Sequence, residues 1–421
     1  MSSQTDVVVI GAGAAGLAAG ARLRAAGIPF EIIEAAPVAG GRAATDTTTL
    51  GVPFDLGCHW LHDARDNPFT ALAETHGFRV GRGVPVRRRL FLGDRFSTDA
   101  EKDAADAEVD AVFDAIYAAG QAGRDISAAE VMRAQGPGRY GVLARHWLEL
   151  MSAAGPADIS AVDFALYRDT DDNWPVLDGY GALVLAVAGD LKVTLGCPVR
   201  RIDRRGRRLA IETDRGTIAC RAVVVTVSTA VIASGRLAFD PALPPDLAEA
   251  FAALPLGFAE KVALLFERDI FGVPERSGFD AVDLARPERA GASVMLRPGG
   301  ASAALVHVAG PEAQAMAGEG PDALADFALG ILAATFGADV RRHVVRHLTT
   351  DWSGMPFIGG AYSCALPGRA HLRAKLHETF DPRIVFAGEA LGGPAFSTCH
   401  GAHISGIAAA ETALAQLEHA A

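Results

Sequence analysis

Apolar and polar positions alternate in distinct ways along this chain of 421 residues. Val7 to Ile10 is an unbroken apolar run that stops at Gly11, an Ala-rich segment follows, and a second largely apolar run, Phe30 to Ile33, ends on Glu34. A run, a helical stretch and a second run predict a strand–helix–strand unit with buried parallel strands. From about Phe69 to Arg168 the pattern changes to helical and charged. Val109, Val112, Phe113 and Ile116 fall at helical spacing among acids, and Trp147, Leu148, Leu150 and Met151 suggest another buried face.

A helix to Gly189 and a β-rich stretch come next. Val193–Leu195, Val199–Ile202, Leu209–Thr213 and Thr217–Val227 read as strands, with turns at Arg205-Gly206 and Arg215-Gly216. Within the last of these, Val223 to Val227 reads as a fully buried parallel strand. From about Leu254 to Asp351 the runs Lys261–Phe266, Ala303–Ala309 and Val344–Leu348 predict strands, and 322–336 predicts a helix. Ile384 to Gln416 returns to strand and helix. The chain is too long for one ordinary core, so two domains are expected. The predicted fold is α/β, a Rossmann-type dinucleotide-binding domain from residues 1–62, 178–253 and 352–421. Two insertions, 63–177 and 254–351, build an α+β substrate domain.

Candidate chemistry begins at the first turn. Gly11, Gly13 and Gly16 have G-x-G-x-x-G spacing between a strand and a helix. Gly11 permits the tight turn, Gly13 lets backbone approach a pyrophosphate, and Gly16 lets the helix sit close to the sheet. Ala14 and Ala15 open the helix, whose free N–H groups and partial positive charge suit phosphate. Glu34, 34 − 16 = 18 residues past the last glycine, can accept from ribose hydroxyls, with Ala35 beside it. Gly40-Gly41-Arg42 follows, and adds flexible backbone and a fixed cation able to grip a pyrophosphate.

With Gly40-Gly41-Arg42 the chain resembles the FAD-binding half of the flavin-containing amine oxidase superfamily, which includes monoamine, polyamine and L-amino acid oxidases. Further motifs carry the resemblance. Asp55-Leu56-Gly57-Cys58-His59-Trp60-Leu61-His62 is similar to a family stretch lying along the flavin, and His59 is a candidate second active-site group. Val199 matches a valine whose backbone meets the adenine. Lys261, on a largely apolar strand, matches a lysine that holds a water against flavin N5. Asp351 to Ser363 contains Trp352, packed by the flavin in the family, and Tyr362, one wall of an aromatic cage for the amine. Ile384 to Ala390 ends a strand on Gly388-Glu389, expected at the flavin's ribityl–phosphate side. In Cys399 to Gly406 the helix start near Gly401-Ala402 would point at flavin N1 and O2.

Two departures stand out. Ala361 occupies the position where monoamine oxidases attach FAD through cysteine, which implies noncovalent FAD. Thr398 falls where they carry the second cage aromatic. The resemblance implies oxidation of a C–N bond by hydride transfer to flavin N5, giving an imine and, with O2, H2O2. Lys261, Tyr362, Trp352, Thr398 and His59 are the catalytic candidates. Thr398 keeps open a C–C desaturase or a dehydrogenase with another electron acceptor, and a flavoprotein without net redox chemistry is the third reading. No arginine stands out as a carboxylate clamp.

Bulk composition narrows the partners. The net charge of −11 argues against nucleic acid and anionic membranes. Five scattered cysteines without a C-x-x-C suggest reduced thiols and no metal site. The strand starting near Val7 leaves no room for a leader, and no apolar run approaches the about 18 residues of a membrane span. A cytoplasmic, bacterial protein is expected, since arginine outnumbers lysine among many Ala and Gly residues. The partners are a small amine and O2, and oligomeric state, a homodimer included, stays open.

Overall fold

The computed structural model describes residues 2–82, 88–136, 138–170, 172–320 and 322–419. Its centre is a five-stranded parallel sheet in the order Ile384–Phe386, Ala222–Val225, Val7–Ile10, Phe30–Ile33, Val193–Thr194. Val7–Ile10 is covered on both faces, which explains its unbroken apolar sequence. Val7 and Val9 enter one core with Leu17, Leu23 and Ala410, beneath the helices Ala14–Ala25 and Cys399–His419. Val8 and Ile10 enter the opposite core with Ile202, Leu209 and Ile211. The two-residue period of a strand thus divides one run between two layers.

That opposite layer is a mixed sheet, Ser2–Gln4, Gly216–Cys220, Leu209–Thr213, Val199–Asp203, Ala238–Asp240. Here the pattern reading needs correction, because Thr217–Val227 is two strands in different sheets. Gly216–Cys220 pairs with Ser2–Gln4, and Ala222–Val225 pairs with Val7–Ile10. The backbone N–H groups of both Arg221 and Ala222 reach Asp6 O, at 2.9 and 3.1 Å, where the two paired strands cross together between layers. The one charged residue at this crossing is Arg221, between the two strands.

A third, six-stranded sheet runs in the order Val344–Thr349, Ala259–Phe266, Ala303–Ala309, Ala292–Leu296, Ser277–Ala281, Arg88–Phe91. Pattern reading found the first three of these and missed the others. Arg88–Phe91 comes from the first insertion, so both insertions contribute to this sheet. Val262, Leu264 and Phe266 face the helices Pro311–Ala317 and Ala323–Phe336. Lys261 lies on the other side, toward the central sheet. Between about Phe69 and Arg168 helices dominate as expected, namely Pro68–Thr75, Asp99–Gln121, Ala128–Gln135, Gly141–Ser152 and Ala161–Leu166. Among the described residues no helix is long and apolar enough to cross a membrane.

Candidate active site

Between the parallel and six-stranded sheets lies a continuous cavity of about 2090 Å³. Its floor is the first turn. Gly11 has φ +103°, and a Cβ on Gly16 would stand 1.9 Å from Gly11 O, so strand and helix meet backbone to backbone. Gly13, Ala14 and Ala15 line the cavity where the helix begins. No side chain caps this end and its first turn holds no acid, so its N–H donors suit an anionic group. Gly16 lies behind this surface and is the one expected cofactor residue that does not line the cavity. Glu34 lines the same end with Ala35, its carboxylate accepting from Ala12 N at 2.7 Å and Ala36 N at 2.8 Å. Val199 closes that end.

Gly41 and Arg42 fold over the turn. One Nη of Arg42 donates to Ala361 O and, at 3.2 Å, to Glu389 Oε1. The expected pyrophosphate clamp is therefore held by protein groups, with other guanidinium donors remaining. Glu389 also accepts from Ser363 Oγ at 2.7 Å. Behind it, Arg373 makes a bidentate pair with Asp163 at 2.7 and 2.8 Å and donates to Ser363 Oγ at 3.2 Å. This buried network joins Arg42, Glu389, Ser363, Arg373 and Asp163, and sequence reading found only its first two members.

The middle of the cavity is built around Gly57. A Cβ there would stand 1.7 Å from Arg42 O, so the stretch Gly57, Cys58, His59, Trp60 lies tight against the Arg42 loop. Lys261 reaches across from the six-stranded sheet and donates from Nζ to Asp55 O at 2.9 Å and Gly57 O at 2.5 Å. Burial lowers its pKa, with Asp55 opposing the shift. Its neighbour Glu260 turns the other way. Its buried carboxylate accepts from Thr350 Oγ1, from Trp352 N at 2.7 Å and from Ser353 N at 3.3 Å, which fixes the loop carrying Trp352. Burial raises that carboxyl to about 7 against these hydrogen bonds. Sequence reading missed Glu260, although an acid beside the candidate lysine on an apolar strand is a usable signal.

Trp352, Tyr362, Thr398, Gly388 and Glu389 all line the cavity. The Tyr362 hydroxyl donates to Leu150 O, and burial raises its pKa. Thr398 is a helix cap. Its hydroxyl donates to Ala395 O at 2.6 Å and accepts from Gly401 N at 3.0 Å. Gly401 packs inward, and Cys399 and Ala402 present the helix start to the cavity. Beyond them the chamber is aromatic, with Phe113, Tyr117, Trp147, Phe164, Tyr167 and Phe396. Arg88 also reaches it, but lies 3.5 Å from Asp280 and 4.4 Å over the Trp147 ring.

Residues 14–414 match the family model described as flavin containing amine oxidoreductase. The chain belongs to that family. It is accordingly a flavin-dependent oxidoreductase, as the sequence motifs implied. Among curated relatives, polyamine oxidase 4 of Oryza sativa subsp. japonica is 26% identical over 97% of this chain and 88% of its own length. Polyamine oxidase 1 of the same plant is 27% identical over 97% and 96%. Lysine-specific histone demethylase 1 homolog 1, also from rice, is 28% identical over 95% of this chain and 51% of its own length. The fold is that of solved putrescine oxidase structures. The wild-type protein bound to putrescine has a TM-score of 0.80 at 19% identity, over 99% of this chain and 100% of its own. A mutant of that oxidase, redesigned in its cofactor binding, has a TM-score of 0.81 at 20% identity over the same shares.

Proposed function

We propose that the chain binds FAD without a covalent link and oxidises a small amine at the carbon beside nitrogen. The observation carrying this reading is the continuity of the cavity. Its bare helix end and Glu34 run without a break into an aromatic chamber holding Lys261, Trp352 and Tyr362.

The residues present fit FAD. Gly13 and the uncapped turn at Ala14–Ala15 would receive the pyrophosphate, and Glu34 the ribose. The Gly57–Trp60 stretch, Trp352, Gly388, Glu389 and Ala402 would hold the flavin half. Residues 1–62, 178–253 and 352–421 would thus be the cofactor domain, with 63–177 and 254–351 covering the substrate; 1, 83–87, 137, 171, 321, 420 and 421 lie outside the described residues. FAD, when bound, would supply the hydride acceptor, and its reoxidation by O2 with uptake of protons would give H2O2.

The chain's own residues do the rest. Tyr362 and Trp352 offer π faces to a nitrogen cation. Lys261 has three donors, two engaged by backbone carbonyls, and its third can orient a water in the cavity. Thr398 presents a hydroxyl fixed by its cap. Ala361 carries no nucleophile, and of the four cysteines lining the cavity Cys58 and Cys364 are held protonated, Cys58 by its contact with Cys399 and by burial, Cys364 by burial.

The test is anaerobic mixing of the yellow protein with amines, amino acids and polyamines while following flavin bleaching, then admission of air and assay of H2O2. Bleaching by an amine and peroxide on aeration are expected. Bleaching only by a non-nitrogenous substrate would support the desaturase reading. Acid should release the flavin into the supernatant, and colour on the pellet would refute the noncovalent link.

A further inference from the structure

His59 sits in the cavity with a ring nitrogen that no step above uses. Its Nδ1 lies 3.0 Å from Asp55 Oδ2. Asp55 is buried, and its other oxygen accepts from Thr45 Oγ1 at 2.7 Å and Gly181 N at 3.2 Å. A carboxylate only accepts, so Nδ1 carries the ring proton and Nε2 is a bare lone pair. Nε2 is buried and has no hydrogen-bond partner in the protein, although the residue lines the cavity. The ring is held by an edge contact to Trp60 at 5.0 Å. The turn beneath it is pinned by Lys261, through the carbonyls of Asp55 and Gly57. Tautomer and backbone are fixed, and the one free valence belongs to a residue of the cavity wall.

An amine of ordinary basicity, with a pKa of about 10, arrives protonated at neutral pH. An ammonium nitrogen has no lone pair to assist departure of a hydride from its neighbouring carbon. One proton must leave first. We infer that His59 Nε2 accepts the ammonium proton of the substrate, with Asp55 holding the imidazolium so formed. The substrate N–H bond breaks, an Nε2–H bond forms, the positive charge moves to the ring, and no electrons are exchanged. The proton returns to water once the product leaves. This role rests on the amine-oxidation reading and extends it.

The electrostatics agree. Burial lowers the His59 pKa, the Asp55 hydrogen bond and charge oppose that, and Lys261 and Arg276 add to it. Asp55 stays ionised because the hydrogen bonds of His59 and Thr45 and the charge of Lys261 outweigh the effect of its burial. His307, across the cavity, is lowered to about 3 mainly by burial and adds no charge near neutrality. A neutral ring is the form that accepts a proton.

The test uses the FAD-loaded full chain and an amine that bleaches it. Anaerobic flavin reduction is followed from about pH 6 to 10 for wild type, His59→Gln and Asp55→Asn. His59→Gln should be about 10²-fold slower at neutral pH, the usual worth of a positioned base. Its rate should then rise about tenfold per pH unit and approach wild type near the pKa of the free amine, where solvent deprotonates it. Asp55→Asn should show the same profile, because an amide donor to Nδ1 moves the ring proton to Nε2. A second readout needs no turnover. ¹⁵N NMR of histidine-labelled wild type should show Nε2 unprotonated at neutral pH and shifted by tert-butylamine, which has no hydrogen to lose at its α carbon.

A uniform slowing of His59→Gln at every pH, or an Nε2 signal unmoved by the amine, would overturn the role and make His59 a flavin contact. If no amine bleaches wild type, the amine-oxidation reading fails and this role with it. If wild type bleaches and both variants keep its pH profile, only the role fails.

Discussion

The two walls of the cavity are made in different ways. The wall proposed for the dinucleotide is largely backbone, namely the turn Gly11–Ala15, the strand end at Glu34 and the loop Gly40–Arg42, contributed by the first 42 residues. The opposite wall is side chains brought from afar. Lys261 donates to backbone 206 and 204 residues away, and Arg373 pairs with Asp163 across 210. A local wall forms wherever its strand and helix form. A distributed wall depends on every segment arriving, so single side chains there carry more of the structure.

The largest effect should come from the distributed wall. Arg373 and Asp163 are buried with 7% and 2% of their side chains exposed. Removing one partner leaves an uncompensated buried charge, and Arg373→Ala should cost about 3–5 kcal/mol, read from denaturant unfolding. It should also loosen Glu389, so FAD content should fall in the fraction that still folds. A loss below about 1 kcal/mol would show that the wall does not depend on this pair.

Glu149, on the helix Gly141–Ser152 of the same wall, gives a pH signature. Both of its carboxylate oxygens are buried without hydrogen-bond partners. Burial raises it from 4.5 to about 8, with Arg145 opposing and Glu312 adding. The folded state therefore holds the proton more tightly than the unfolded chain. Its contribution to stability is fully present below pH 4.5 and is lost as pH rises toward 8, by up to roughly 4 kcal/mol. Glu149→Gln should flatten this slope, and a slope equal to wild type would assign the pH dependence elsewhere.

Lys261→Met tests the join between the walls. Loss of one positioned donor should slow the reaction of the reduced enzyme with O2 about 10²-fold, with anaerobic reduction changed much less. Equal oxidation rates in stopped flow would remove Lys261 from that step.

This division also explains what the sequence made legible. The glycine turn, Glu34 and Gly388-Glu389 were readable because their chemistry is local, fixed by spacing along one strand and one turn. Lys261 was readable because a cation on an apolar strand is conspicuous. The strands Ser277–Ala281 and Ala292–Leu296 were not, since Asp280 and Ser293 interrupt them for the sake of a buried hydrogen bond, 2.5 Å, that exists only after the sheet forms. The Asp163–Arg373 pair and the placement of Glu260 under Trp352 were invisible for the same reason. The split of Thr217–Val227 was missed because its change of layer leaves no charged residue except Arg221, which donates to Leu417 O of the last helix.

Within the local wall, two neighbouring glycines separate fold from ligand. A Cβ on Gly16 would stand 1.9 Å from Gly11 O, a backbone atom that cannot give way, so Gly16→Ala should cost about 1–3 kcal/mol or more with or without FAD. A Cβ on Gly13 would meet nothing nearer than Gly40 O at 3.8 Å, and its φ of −77° suits any residue. Gly13→Ala should therefore change the stability of the FAD-free protein by no more than about 1 kcal/mol, the usual range for a residue at a helix start. Its methyl would instead stand in the space above the bare helix end, so FAD retention on gel filtration should fall. Equal retention with wild type would mean that the pyrophosphate does not approach this turn, and the dinucleotide wall would lose its assignment while Gly16 kept its structural one.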